Sequence, residues 1–279
     1  DVLLIELQVE VQDSAGVTRY LPLEVIPHIA DAIKDVAEQG IVVIQPAGNG
    51  SEVAYDDDFC GNHLDMLTTY PWLTGASAAN MEALAEGEMP DRAMSQDSKS
   101  IMVGASFRDL GPTGDRHLAA NFPSAGKTFW GTNYGSRVDC YAWGEGVPTT
   151  HPNDKYVETF DGTSAASAIV AGACVIIQQM AIDLTGGPLT AEEMRDILRD
   201  PSLGTLGDPE RKIGVMPDLK KIYRHLACPG KTGIWLLMCL IFGWLKWQFA
   251  QVRFWAKRGP SVPVEPRPLP ARDRRDSPA

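Results

Sequence analysis

The sequence predicts an α/β fold in three layers, with a mostly parallel sheet and helices on both of its faces. Strand-like and helix-like segments alternate near the start of the chain, and such alternation is typical of βαβ units with parallel strands. A long apolar run over residues 168–180 exceeds the length of a buried strand and predicts a buried helix. With 279 residues, 44% of them hydrophobic, the chain can form one sizeable domain plus an extension.

The first βαβ unit is predicted over residues 1–44. Residues 1–11 are rich in Val, Leu and Ile and predict a strand. Residues 24–39 place apolar side chains at helical spacing, and Gly40 ends that helix. Residues 41–44, which read Ile-Val-Val-Ile, then predict a short buried strand. A helix between two strands implies that the strands pair in parallel.

The turn after this second strand carries the first candidate functional residue, Asn49, preceded by Ala47 and Gly48. Open α/β sheets bind ligands just past the carboxyl ends of their strands. A side-chain amide in that place can donate a hydrogen bond to an oxyanion that develops during a reaction. The alternative is an ordinary turn asparagine, because Asn-Gly is a strong turn signal.

The second candidate is Ser164, in the segment Gly-Thr-Ser-Ala-Ala-Ser that begins at Gly162. Small residues deliver this serine to the predicted start of the long apolar helix. Unpaired backbone N–H groups and the helix dipole favour negative charge there, which suits a serine that must form an oxyanion. The alternative is a serine that only caps a core helix.

Further along the chain, residues 101–105 predict another short buried strand. Residues 189–200 predict a helix with Thr190 as N-cap and Glu193 completing a capping box. The long region between residues 50 and 98 is polar and has no strong period, and within it only residues 76–88 favour a short helix. The alternation of strands and helices therefore continues beyond the first unit.

No cofactor or metal site is predicted. Three consecutive aspartates at residues 56–58 are of a type that binds calcium, but no spacing resembles a calcium loop, so a solvated acidic turn is preferred. The five cysteines lie far apart and contain no Cys-x-x-Cys pair, which gives no zinc or redox signature. Cys174 is expected to be a small core residue. A Cys60–Cys140 bridge is compatible with the sequence but cannot be deduced from it.

Two motifs resemble those of subtilisin-like serine proteases. The segment around Ser164 resembles the family's nucleophile motif, G-T-S-x-A-[ST]-P followed by a V-A-G helix, with Ala168 in place of the proline. Residues 42–49 resemble its oxyanion-hole segment, V-V-x-x-x-A-G-N. The resemblance implies a serine endopeptidase in which Ser164 is the nucleophile. It also implies that Asn49 and the Ser164 backbone N–H hold the oxyanion.

Two other segments match the family in the same order along the chain. Residues 101–105 resemble its V-x-V-G-A strand. Residues 134–144 resemble its Y-G-x-x-V-D-x-x-A-P-G segment, with Trp143 replacing the proline, and that segment has a structural role in the family. The resemblance covers roughly residues 1–227, which we predict to be the peptidase domain.

Residues 1–8 resemble the family strand D-V-[IL]-x-x-S-[LW]-G, which forms one wall of the primary specificity pocket. Glu6 and Gln8 stand where serine and glycine are usual in that strand. The larger Gln8 would narrow the pocket or change how the substrate strand lies. The substrate-binding residues that the resemblance implies are Leu7, Gln8, Ala47, Gly48 and Thr163.

The acid–base half of such a protease is missing from the sequence. In this family the aspartate lies in a D-[ST]-G turn and the histidine in an H-G-T-x-V-A-G motif, and both precede the segment that opens this chain. None of the five histidines here is followed by glycine. We therefore expect the peptidase domain to be truncated at its N-terminus and inactive as given. The alternatives are an inactive protease-like module that binds peptides or partner proteins, and a membrane-tethered scaffold.

Residues 228–255 are predicted to associate with a membrane. The twelve apolar or small residues 234–245 would form about 18 Å of helix, short of a bilayer core of about 30 Å, and residues up to 255 add length. Four tryptophans in this region suit the membrane interface, and an anchor that spans is preferred to a helix that lies on the surface. The Pro- and Arg-rich tail, residues 256–279, is expected to be disordered and cytoplasmic, which would place the protease domain on the extracytoplasmic or secreted side.

The net charge of −11 is unevenly distributed. Residues 246–279 contain eight basic and three acidic residues, a net +5, so residues 1–245 carry −16. An acidic body argues against nucleic acid as a partner. The expected partners are a peptide or protein substrate and a membrane.

Overall fold

A computed structural model describes residues 1–12, 17–51, 59–65, 97–123, 129–152 and 155–228. Its main element is a seven-stranded sheet. Five of these strands run parallel in the order β1 (Val2–Leu4), β4 (Val42–Pro46), β6 (Ile101–Leu110), β10 (Cys140–Trp143) and β14 (Val215–Pro217). Two strands pair antiparallel, β13 (Gly204–Leu206) with β14 and β7 (His117–Ala119) with β6. The mostly parallel α/β class predicted from the sequence is confirmed.

The remaining strands form small antiparallel sheets outside the main one. These are β2 (Gln8–Gln12) with β3 (Thr18–Pro22) and β5 (Gly50–Ser51), β8 (Asn121–Pro123) with β9 (Phe129–Gly131), and β11 (Val147–His151) with β12 (Lys155–Phe160). The helices are α1 (Pro27–Glu38), α2 (Thr163–Thr185), α3 (Ala191–Arg199) and α4 (Leu219–Ala227). Short 3-10 helices cover Leu23–Val25 and Pro201–Leu203.

Strand β4 shows why helices cover both faces of the sheet. Successive side chains of a strand point to opposite faces. Val42 and Ile44 belong to the core formed with α2, α3 and α4, whereas Val43 packs in a second core with Ile33 of α1. The predicted βαβ unit is confirmed, because β1 and β4 pair in parallel and α1 lies between them in the chain.

The single strand predicted over residues 1–11 is wrong. The chain forms β1 in the main sheet, leaves it after Ile5, and then forms β2 in a different sheet. The backbone N–H of Ile5 still bonds to the Ile44 carbonyl at 2.9 Å. Val9 and Val11 alternate into another core with Leu21, and that core draws the second half of the segment away from the main sheet.

Helix α2 is longer than predicted and has one exposed face. Cys174, predicted as a core residue, is fully buried. On the opposite side Val175 is 57% and Ile176 46% exposed, so the predicted buried helix is buried on one face only. The described residues cover only its sheet-facing side. Within them, α2 is long and apolar enough to cross a membrane by length and composition, and the side chains on its sheet-facing side pack in the core.

Other predictions have mixed outcomes. The capping box of α3 is confirmed, with Glu193 N–H donating to Thr190 Oγ1 at 3.1 Å and Thr190 N–H to Glu193 Oε2 at 2.8 Å.

Cys140 is a buried free thiol, so it forms no bridge with Cys60. Burial raises the pKa of Cys140, and it raises the pKa of Cys174 to about 12, so both thiols stay neutral. The predictions for residues 56–58, 76–88 and 229–279 concern residues outside the described part of the chain.

A buried ion cluster joins the amino-terminal ends of β6 and β10 to α3. Its buried members are Glu24, Arg137, Asp139 and Arg195, and Asp97, whose side chain is 53% exposed, pairs with both arginines at the surface. Arg137 Nε lies 2.6 Å from Glu24 Oε1, and Arg137 Nη1 lies 2.9 Å from Asp139 Oδ2. Burial acts to lower the pKa of Arg137, but the two carboxylates outweigh it and raise that pKa. Arg137 therefore stays charged and compensates two buried carboxylates.

We expect the substitution Arg137→Met to lower the free energy of unfolding by about 3–5 kcal/mol, because it leaves two carboxylates buried without their shared cation. Urea denaturation at pH 7 measures this change. The matched control is Glu38→Gln, which removes an exposed partner of Lys99 and should barely change the urea midpoint. Equal shifts from the two substitutions would contradict a structural role for the cluster.

Candidate active site

The candidate site lies where β1 and β4 separate at their carboxyl ends. The two strands pair as far as Ile5, and beyond it the Ala47 N–H bonds to the Val103 carbonyl on the other neighbouring strand, at 2.8 Å. The edge that opens in this way is the place where open α/β sheets bind ligands. Asn49 follows directly, and the first residues of α2 meet it there.

The amide of Asn49 is held in one orientation by Thr163. Its Oδ1 accepts a hydrogen bond from the Thr163 backbone N–H at 2.9 Å and another from the Thr163 Oγ1–H at 2.8 Å. Only the oxygen of an amide can accept, so two donors on one side fix which atom is Oδ1. The Nδ2 group then points away from them and has no acceptor among the described residues. Asn49 is only partly buried, so a ligand can reach this donor.

The amino-terminal end of α2 offers a second donor. The Asn49 side chain caps the first helical N–H, that of Thr163, because the N-cap residue Gly162 has no side chain to do so. Within the described chain the next N–H, that of Ser164, has no partner, as expected for the first turn of a helix. Ser164 is partly buried. The Ser164 backbone N–H and the Asn49 Nδ2 group are therefore two donors unpaired in the described chain, at the junction of the turn after β4 with α2.

Gly162 is required by the conformation of this junction. Its φ of +116° lies in a region that side chains disfavour, and a Cβ there would be 3.2 Å from Asn49 Nδ2. Any side chain would press on the amide that Thr163 holds. The small residue before Thr163 is thus explained by the close approach of Asn49.

Asn133 supports the same turn and was not identified from the sequence. Its Nδ2 donates to the Ala47 and Tyr20 carbonyls, each at 2.7 Å, and its N–H donates to the Gly48 carbonyl at 2.9 Å. Gly48 has φ +98°, and a Cβ there would lie 2.5 Å from Asn133 Nδ2. Asn133 directly precedes the segment 134–144, whose resemblance to the family implied only a structural role.

The residues of the first strand lie on the other side of the opening. Gln8 Oε1 accepts a hydrogen bond from the Asn49 backbone N–H at 2.7 Å. Leu7 is 67% exposed and makes no described contact with the turn. Partial burial raises the pKa of Glu6, although most of that side chain faces solvent. The structure thus brings Gln8, Asn49 and Thr163 together and leaves Leu7 apart.

A base for Ser164 is not found among the described residues. No hydrogen bond joins its hydroxyl to any of the five histidines, all of which are described. His117 is buried against Tyr141, and His63 stacks on Tyr134 with Asp65 3.5 Å away. His28, His151 and His225 lie in α1, β11 and α4.

Comparison with known families decides the affiliation. A model of the subtilase family matches residues 14–215. The chain belongs to the subtilase family. This membership supports serine-type peptidase activity, and it confirms the resemblance found in the sequence. Of the predicted site residues, Leu7 and Gln8 precede the match and the others lie inside it. No curated protein matches the chain.

The substitution Gly162→Ala should cost more stability than Gly40→Ala. Both residues have positive φ, but a Cβ at Gly40 meets nothing within 4 Å, whereas one at Gly162 meets the Asn49 amide. We expect about 1 kcal/mol for Gly40→Ala and about 2–3 kcal/mol for Gly162→Ala in urea denaturation. Equal costs would show that the amide moves freely and is not held by Thr163.

Proposed function

We propose that this subtilase is a subtilisin-like endopeptidase that cleaves peptide bonds through Ser164, with Asn49 as the side-chain donor of the oxyanion hole. The observation that carries the proposal is the pair of hydrogen bonds from Thr163 to Asn49 Oδ1. They leave the Asn49 Nδ2 group as a fixed donor beside the residue that follows Thr163 in the chain, which is Ser164.

In the proposed reaction, Ser164 Oγ attacks the peptide carbonyl carbon, and its proton passes to a base. The carbonyl oxygen becomes an oxyanion that accepts hydrogen bonds from Asn49 Nδ2 and the Ser164 N–H. Loss of one such donor typically costs about 3–4 kcal/mol of transition-state stabilisation. The tetrahedral intermediate then expels the amine, which takes up a proton, and the resulting acyl-enzyme is hydrolysed by water. No cofactor takes part in these steps.

The base and the carboxylate that orients it would come from polypeptide outside this sequence. The exposed face of α2 supports this part of the proposal. Ile169, Val175, Ile176 and Ile182 are each at least 39% exposed on the helix that begins at the nucleophile. A segment packed on this apolar face would lie beside Ser164, where a histidine has to be placed.

Membrane association of residues 228–255 is a separate proposal. It is supported by the apolar run 234–245 and the tryptophans around it. The tail that follows this segment is basic, which favours a cytoplasmic position for the tail. The protease domain would then lie on the other side of the membrane.

The substitution Ser164→Ala should abolish hydrolysis of peptide amides, and Asn49→Ala should lower kcat about 10²- to 10³-fold with little change in KM. The assays use the full-length protein that contains this chain. The control is the substitution Ser202→Ala, which removes the hydroxyl of an exposed serine and should leave the rate at the wild-type value. Hydrolysis that survives Ser164→Ala would contradict the proposal. Saturable peptide binding without any hydrolysis would instead favour a protease-like binding module.

Thr163 should act on the reaction through Asn49. Thr163→Val removes the Oγ1–H donor but keeps the backbone donor, so we expect kcat to fall about three- to tenfold, the equivalent of one hydrogen bond. Thr163→Ser keeps a hydroxyl and should restore most of the rate. A fall of the same size in both variants would contradict this role of the hydroxyl, because Thr163→Ser keeps it and Thr163→Val does not.

A further inference from the structure

We infer that Gln8 restricts the site to peptides in which the residue that contributes the scissile carbonyl is glycine or alanine. This inference rests on the proposed function, because it takes the Asn49 amide as the place where the scissile carbonyl oxygen binds. It names a substrate class that the family assignment leaves open.

The side chain of Gln8 crosses the opening between the first two parallel strands. Its backbone belongs to β2, where Gln8 pairs with Pro22 in a separate sheet. Its Oε1 nevertheless reaches the Asn49 N–H on the far side of the opening, at 2.7 Å. A glutamine therefore bridges the two chain segments at the level of the proposed oxyanion donor.

This bridge occupies space that a substrate side chain would need. A carbonyl oxygen bound by Asn49 Nδ2 lies about 3 Å from that nitrogen, and the Cβ of the residue that bears it is two bonds from the carbonyl carbon. The first side-chain atoms of that residue therefore lie close to Asn49. Gln8 accepts a hydrogen bond from the backbone N–H of the same asparagine, so its side chain competes for this space with any substrate side chain larger than a methyl group.

Two cavities of the described chain lie away from Gln8. One, of about 460 Å³, is lined by Arg116, Arg199, Asp208 and Lys212 among others. Another, of about 410 Å³, runs along α2 and is lined by Trp143, Ile169, Ile176 and Met216 among others. Neither is lined by residues 5–8 or 47–49. A large side chain next to Asn49 would have to displace Gln8 and break its hydrogen bond.

The test measures the binding of acetylated tripeptides that end in a free carboxylate, Ala-Ala-Gly, Ala-Ala-Ala and Ala-Ala-Phe, to the full-length protein by isothermal titration calorimetry. The wild type should bind the Gly and Ala peptides at least tenfold more tightly than the Phe peptide. Gln8→Ala should bring the three affinities within about twofold. Gln8→Met, which has similar length and no acceptor, should keep the wild-type order.

The inference would be overturned if the wild type bound the Phe peptide as tightly as the Gly peptide. An unchanged ratio in Gln8→Ala, or the absence of binding by any peptide, would also overturn it. If Gln8→Ala does not fold, Gln8→Ser provides the same shortening with a polar group. Labelling of Ser164 by a fluorophosphonate tests the proposed function separately, because the binding ratio requires no reaction at the serine.

Discussion

The two hydrogen bonds from Thr163 to Asn49 Oδ1 are the constraint on which the candidate site depends. They join the turn after β4 to the start of α2, across 114 residues of chain. They cap the helix, and they also decide which side of the Asn49 amide is free to donate. Gly162 allows the close approach, and Gln8 holds the Asn49 backbone from the other side. The result is two unpaired donors, Asn49 Nδ2 and the Ser164 N–H, at one junction of the described fold.

The two ends of the sheet differ in how their polar groups are compensated. At the amino-terminal ends of the strands, Arg137 and Arg195 neutralise buried carboxylates. At the carboxyl ends, the Asn49 amide and the Ser164 N–H lack acceptors in the described chain. Unpaired donors at a partly exposed site reduce stability but are available to a ligand. The ion cluster stabilises the fold at the end where no ligand is expected.

Local signals were enough to predict the class of the fold and several elements. The capping box at Thr190, the parallel unit around α1 and the helix that starts beside Ser164 each follow from short-range patterns. The split of residues 1–11 into two strands did not, because it depends on a core formed with Leu21. The contacts of Gln8 and Asn133 with the turn after β4 span 41 and 86 residues, and no local pattern encodes such contacts. Motifs identified Ser164 and Asn49 as candidates, but only the structure relates their positions.

A crystal structure of the full-length protein after reaction with a peptide boronate would test the central claim most directly. The account predicts a bond between Ser164 Oγ and boron. It also predicts one boronate oxygen about 2.7–3.1 Å from both Asn49 Nδ2 and the Ser164 nitrogen, with the Thr163 hydrogen bonds to Asn49 Oδ1 retained. An adduct whose oxygen points away from Asn49, or an amide turned so that Nδ2 faces Thr163, would contradict it.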